Sequence, residues 1–216
     1  NTRVGFTFAS GLRAFLRQDP DIIMVGEIRD EETAEIAVHA AMTGHLVLST
    51  LHTNDAPTTL PRLLDMGIPP FLVAFTVNII LGQRLVRKIC EHCKESYTLG
   101  KGEIQALQKV LAPSRLKQLY KEQGLSISKK DTVHHTFYRG AGCRRCGKSG
   151  YKGRIGIYEV LDVDKELAQK INARATATEI KQYANKKGMV TMLEDGILKA
   201  KMGTTTIEEV LRATRD

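Results

Sequence analysis

Tryptophan is absent from this chain, and aromatic residues make up only 6% of it. No apolar stretch reaches the roughly 20 residues that a membrane-spanning helix needs. The longest candidate, Phe71 to Leu81, is broken by Thr76 and Asn78. Cysteine is scarce at four residues, and nothing around them has a secretory character, which weighs against a disulfide framework. Acids are in the minority, 24 against 32 Lys and Arg, for a net charge of +8. No internal repeat or low-complexity tract appears. A hydrophobic content of 42% over 216 residues still suffices to bury a core, with room for one larger domain plus appendages. These features read as a cytoplasmic chain whose membrane contact, if any, is peripheral.

What is present is concentrated between Asp19 and Asp55. The apolar run Ile22 to Val25 is uninterrupted and closes on Gly26 and Glu27, the pattern of a strand buried on both faces of a parallel sheet. From Asp30 the spacing turns helical, with Ala34, Ala37, Val38 and Ala41 on one stripe and Asp30, Glu31 and Glu32 in the first turn, until Gly44 stops the helix. A second apolar run, Leu46 to Leu48, leads into Ser49, Thr50, His52, Thr53 and Asn54. Strand, helix and strand form one crossover of ordinary length. Ligands of open α/β sheets sit beyond the carboxyl ends of the strands, where Glu27, Thr50 and His52 would converge. A carboxylate there suits phosphoryl transfer to water, which needs an oriented nucleophile and held, metal-bound phosphates. In that reading Glu27 orients or deprotonates the water, and His45 and His52 sense the γ-phosphate. Arg13, Arg17, Arg29 and Arg62 are candidates for supplying charge to a phosphate across a subunit interface. Taken alone, Glu27 reads equally as a capping or ion-paired glutamate.

These residues carry a family resemblance. DPDIIMVGEIRD resembles the Walker B segment, and GHLVLSTLHTNDA the histidine box, of the secretion-superfamily ATPases that drive type II secretion and type IV pilus assembly. FASGLRAFLRQDPD, LGQRLVRKIC, GYKGRIGIYEVL and DGILKAKMGTTTIEEVLRAT extend the likeness over nearly the whole chain. The resemblance implies that Glu27 is the catalytic Walker B acid, that Gly26 precedes it in the nucleotide site, and that His45 and His52 are the box histidines. Arg13 and Arg17 match arginines near the nucleotide, and with Gly26 and Thr50 they are the expected nucleotide-binding residues. It also implies ATP with Mg2+ as cofactor, a homo-hexameric ring, and an inner-membrane platform protein as partner at the cytoplasmic face of that membrane. The departure is the lack of a GxxxxGK[ST] loop to cradle phosphates. The sequence therefore reads as the carboxyl-terminal part of a longer protein, expected by itself to bind ATP weakly and not to hydrolyse it.

The four cysteines form two pairs, Cys90 with Cys93 and Cys143 with Cys146, separated by 49 residues. Two CxxC pairs specify one tetrahedral thiolate site, and four thiolates leave no open position for water, so the expected ion is a structural Zn2+. Glycines 142, 147 and 150 permit the turns this requires. Disulfides and a redox CxxC are the alternatives. His92 reads as a solvated neighbour, and His134 with His135 as a strand or loop pair rather than a second metal site. Within the resemblance, the tetracysteine element favours the assembly and secretion branch over the retraction ATPases.

Charge is uneven: Arg84 to Arg154 contains 17 Lys or Arg against 5 Asp or Glu. A basic zinc subdomain is what a nucleic-acid motor with a zinc ribbon would show. Its aromatics, Tyr97, Tyr120, Phe137, Tyr138 and Tyr151, do not interleave with arginines as a stacking platform would, so no nucleic acid is expected as partner. Anionic lipid, an acidic partner or a plain solvated face are the other readings.

The expected fold class is α/β. Residues 1–89 read as the second half of a RecA-like P-loop NTPase core, with Asp55, Pro57 and the Pro69-Pro70 pair starting helices. Residues 90–153 read as a tetracysteine metal-binding subdomain that includes a polar helix from about Glu103 to Glu122. Residues 154–216 read as a return strand followed by short C-terminal helices, with capping-box spacing at Thr176 and Glu179 and at Thr206 and Glu209. The expected function is an ATP-hydrolysing motor for type IV pilus assembly or type II secretion. A RecA-like nucleic-acid motor and a non-catalytic zinc-stabilised interaction module are the alternatives.

Overall fold

The computed structural model describes residues 8–18, 20–124 and 136–215; His134 and His135 lie outside them. In chain order the elements are α1 (Phe8–Leu16), β1 (Ile22–Val25), α2 (Glu31–Met42), β2 (Leu46–Ser49), α3 (Ala56–Asp65), α4 (Pro70–Thr76), β3 (Ile79–Ile89), β4 (Lys94–Thr98), α5 (Lys101–Val110), α6 (Pro113–Glu122), β5 (Thr136–Gly140), β6 (Tyr151–Asp162), α7 (Lys165–Asn172), α8 (Ala177–Lys186), α9 (Met192–Lys201) and α10 (Ile207–Thr214). They fall into two compact units, each discontinuous in sequence. The first comprises the described residues up to Leu81 with Val160–Met189, the second Gly82–Glu159 with the described residues from Val190. The boundaries expected near residues 89 and 153 both fall inside the second unit. Strands β3 and β6 pair with one another, and each contributes to both units.

In the first unit, β1 and β2 run parallel, with Ile22 opposite Leu46 and Val25 opposite Ser49. Between them α2 starts where Asp30 accepts the Thr33 N–H at 2.8 Å, Glu31 and Glu32 stand in its first turn, and Gly44 takes φ +98° beyond its end. Asp55 caps α3 in the same way, through the Thr58 N–H at 3.0 Å, and Pro70 opens α4. The core contains Ile23 and Val25 with Ala34, Ala37, Leu60, Leu63, Val73, Leu167, Ile171 and Ile180. The expectation that β1 is buried on both faces does not hold: Ile22 is 61% and Met24 77% exposed, as are much of Leu46 and Leu48. Among the described residues, helices cover only the face that carries Ile23 and Val25, so burial alternates along the strand.

In the second unit, α5, α6, α9, α10 and β5 enclose Leu107, Leu116, Leu119, Phe137, Ile197, Leu198 and Val210. The single helix expected from Glu103 to Glu122 is two helices. Pro113 disfavours helical backbone at the residue before it, and Ala112 accordingly takes ψ 137° while Leu111 is extended. Strands β4 and β5 pair antiparallel from Lys94 opposite Gly140 to Thr98 opposite Thr136. The Thr176 and Glu179 capping box forms as the spacing predicts, and a second box joins Thr191 to Glu194. Thr206 caps the Glu209 N–H, but the Glu209 carboxylate turns away to Arg87 and Arg212. No helix among the described residues is long and apolar enough to cross a membrane.

Candidate functional site

The parallel register of β1 and β2 continues past their carboxyl ends. The Ile28 N–H donates to the Thr50 carbonyl at 2.9 Å, and the Thr50 hydroxyl donates to the Gly26 carbonyl at 2.6 Å. This pins the loop after β1 against the loop after β2 and brings Glu27 to His52. His52 Nε2 lies 2.8 Å from Glu27 Oε2, and the Arg29 guanidinium lies 2.8 Å from Oε1. The hydrogen bond from His52, then that from Arg29, holds the Glu27 carboxyl below its ordinary value. Glu27 is half-buried, whereas Arg29 and His52 are largely exposed. An ionised carboxylate at a strand end, beside a strand-end histidine, can accept a proton or orient a water. Arg29, by sequence a candidate for charge on a phosphate, is in the structure a direct partner of Glu27. Its signal lay in the GEIRD spacing, since residues two apart in extended backbone share a face.

The other sequence-derived residues are dispersed. His45 precedes β2 and therefore sits at the end of the strand opposite to His52. Its Nδ1 contacts the Ala40 carbonyl and the Thr43 hydroxyl, each at 3.0 Å, where α2 ends. The whole of β2 lies between the two histidines. Arg13 pairs with Glu32 on α2 at 3.0 Å. Arg17 follows α1, Arg62 lies on α3, and both are exposed, as is Gly26.

The second unit gathers the cysteines. Their four sulfurs lie within 4.8 Å of one another. Sulfur separations of 3.9 Å for Cys90 and Cys143, 3.9 Å for Cys93 and Cys146, and 3.7 Å for Cys143 and Cys146 match the edge of about 3.8 Å that a tetrahedron with Zn–S bonds of about 2.3 Å would have. Backbone N–H groups already point at the sulfurs, Gly142 at Cys93 over 3.3 Å and Cys143 at Cys146 over 3.1 Å. Four thiolates this close repel unless a cation sits among them. Burial pushes the Cys93 thiol up to about 12, whereas the Cys143 N–H brings Cys146 down to about 6. Pairing of β4 with β5 sets Cys93 beside the second knuckle, and the Cys90 N–H donates to the Gly150 carbonyl at 2.9 Å. There the backbone approaches itself so closely that a Cβ on Gly140 would stand 2.0 Å from the Gly150 oxygen. His92 is exposed and faces Arg145 at 2.8 Å.

The rings of this unit are covered by its own cations. Arg87 lies 4.1 Å over Tyr151, Lys94 4.9 Å over Tyr138 and Arg139 5.5 Å over Tyr97, while Lys201 faces both Tyr120 and Phe137. A base could stack on these faces only by displacing them.

A family model described as type II/IV secretion system protein matches residues 1–212. The chain belongs to this family. It is 50% identical over 214 residues to the type IV pilus assembly ATPase PilB of Thermus thermophilus, a match covering 99% of this chain and 22% of the relative. It is 45% identical to the type II secretion system protein E of Pseudomonas aeruginosa, covering 100% of this chain and 39% of the relative. The chain therefore spans well under half the length of these relatives. Among solved structures, that of the pilus retraction motor PilT with bound ADP aligns with a TM-score of 0.60 and 28% identity, over 97% of this chain and 44% of that one. The α/β fold of this secretion-family chain thus resembles that of a pilus retraction motor, and its four clustered cysteines are consistent with a tetracysteine metal site.

Proposed function

We propose that this chain is part of an ATP-hydrolysing motor that powers type IV pilus assembly or type II secretion, with Glu27 as the acid that orients the attacking water. The observation that carries the reading is the meeting of Glu27 and His52 beyond the carboxyl ends of two parallel strands. Ligands of open α/β sheets bind there. Relatives named as pilus assembly ATPase and secretion system protein support the class of work done.

Mg2+, when bound with ATP, would neutralise charge on the phosphates. Glu27 would hold the water by accepting its hydrogen. His52 would keep the carboxylate turned toward it, and His45, at the other end of β2, would act on a different part of the site. Arg13 and Arg17 are proposed as groups near the nucleotide. Cys90, Cys93, Cys143 and Cys146 would hold a structural Zn2+ with no open position. The assembly would be a homo-hexamer working on an inner-membrane platform protein from the cytoplasmic side, and these residues alone would not turn over ATP.

Steady-state ATP hydrolysis by the full-length parent protein, wild type against Glu27→Gln, with ATP binding measured in parallel, tests the reading. Turnover is expected to fall about a hundredfold or more while ATP still binds. Unchanged turnover would make Glu27 structural.

A further inference from the structure

Glu27 is anchored at both carboxylate oxygens, Oε1 by the Arg29 guanidinium and Oε2 by His52 Nε2, each at 2.8 Å. The terminal torsion of a glutamate is otherwise broad, so one anchor leaves the carboxylate free to swing and two fix its plane. Each oxygen has a second lone pair, and the clamp sets the directions in which those lone pairs point. The two anchors come from different places: Arg29 from the loop after β1, His52 from the loop after β2. Arg29 is 70% exposed, and ion pairs at such exposure contribute little to stability. Its contact with Glu27 is therefore better explained by geometry at the carboxylate than by support of the fold.

We propose that Arg29 is the positioning residue of Glu27, fixing together with His52 the direction in which the carboxylate presents its remaining lone pairs to the attacking water. The inference rests on the reading of Glu27 as the acid that orients that water. It takes Arg29 out of the set of arginines considered for charge on a phosphate. The titratable and charged groups facing Glu27 are His52 and Arg29. Without Arg29 the carboxyl would move back up toward its ordinary value. A carboxylate needed in its ionised form would then lose activity at higher pH as the solution is acidified.

The test uses the full-length parent protein with Mg2+ and ATP, comparing wild type, Arg29→Ala, Arg29→Lys and Glu27→Gln, with melting temperature as a control on the fold. Arg29→Ala is expected to lower kcat about tenfold or more, the scale of a small misplacement at a reacting centre. KM for ATP should stay within about twofold, as for an interaction made only in the transition state. The acid limb of the kcat profile should move to higher pH, and millimolar guanidinium should restore part of the rate. Arg29→Lys, which keeps the charge but not the fork, should fall between; its acid limb and kcat decide the matter should the alanine variant fail to fold. Three results overturn the proposal: unchanged kcat and pH profile in the Arg29 variants while Glu27→Gln is inactive, a rise in KM with kcat intact, or a loss of kcat that guanidinium does not touch and no shift of the acid limb accompanies. Retained turnover in Glu27→Gln would instead sink the underlying reading and the proposal with it.

Discussion

Arg87 and Glu209 meet across 122 positions of sequence. The Glu209 carboxylate, nine-tenths or more buried, accepts the Arg87 backbone N–H at 3.0 Å and its guanidinium at 2.6 Å. Arg212 adds two further bonds from one turn along α10. Around this contact the strand that leads to Cys90 is tied to the segment before α10. The Thr205 hydroxyl donates to the Arg87 carbonyl at 2.8 Å, the Ile89 N–H to the Thr204 carbonyl at 2.9 Å, and Tyr151 joins Thr206 at 3.0 Å.

Removing both guanidinium groups, as Arg87→Met with Arg212→Met, leaves a buried carboxylate without a counter-charge. That is expected to destabilise α10 and its contact with β3. Either single change should cost clearly less, because one arginine remains. Amide exchange of residues 204–212 reads the loss, and additive single effects would argue against a shared buried charge.

The same carboxylate should make the second unit acid-sensitive. Burial alone would raise the Glu209 carboxyl, but the hydrogen bonds from Arg87 and Arg212 bring it down to about 2 from an ordinary 4.5. A depressed folded value gives stability that is present above about 4.5 and is lost as pH falls toward 2. Protection of α10 amides should decline through that window, and Glu209→Gln should flatten the dependence. A pH-independent profile in the wild type would contradict the assignment.

Metal content should be one zinc per chain, lost on replacing Cys143 with Ser. Chelation is expected to raise amide exchange at residues 87–94 and 140–150 while β1, α2 and β2 of the first unit keep theirs, since structural metal binding is folding free energy for the residues it joins. Uniform loss of protection across both units would refute a local staple.

Two glycines of the knuckle should respond differently to alanine. Gly147 has φ +59° with nothing within 4 Å of an added Cβ, so Gly147→Ala should cost about 1 to 2 kcal/mol, the left-handed penalty alone. Gly150 has φ +77° and its Cβ would stand 2.5 Å from the Gly140 oxygen. Gly150→Ala must also push apart two backbones, and it should weaken zinc retention in a chelator competition far more than Gly147→Ala. Equal retention would show that the close approach is dispensable.

Much of this was legible locally. The apolar runs of β1 and β2, the helix starts at Asp30 and Asp55, and the stop at Gly44 are contained within a few residues, and the structure forms each of them, with Asp30 as the cap of α2 and not in its first turn. Two CxxC pairs state their own chemistry, and the sulfurs do come together. The helix break at Pro113 is equally local, because a proline pushes the residue before it out of helical backbone, and Ala112 with ψ 137° shows it.

The sequence by itself determined which residue types stand at strand ends, where helices start, and that four thiolates are available for one ion, because each depends on short-range spacing. Spacing already brings Glu27 and His52 together beyond the strand ends; only the tertiary structure decided that His45 turns instead to the Ala40 carbonyl and the Thr43 hydroxyl, where α2 ends. It also decided that Ile22 and Met24 face outward, because burial depends on which faces have helices packed on them. The same holds for Glu209. By spacing it is a capping-box partner of Thr206, and packing against a strand 122 residues away made it the anion of two arginines.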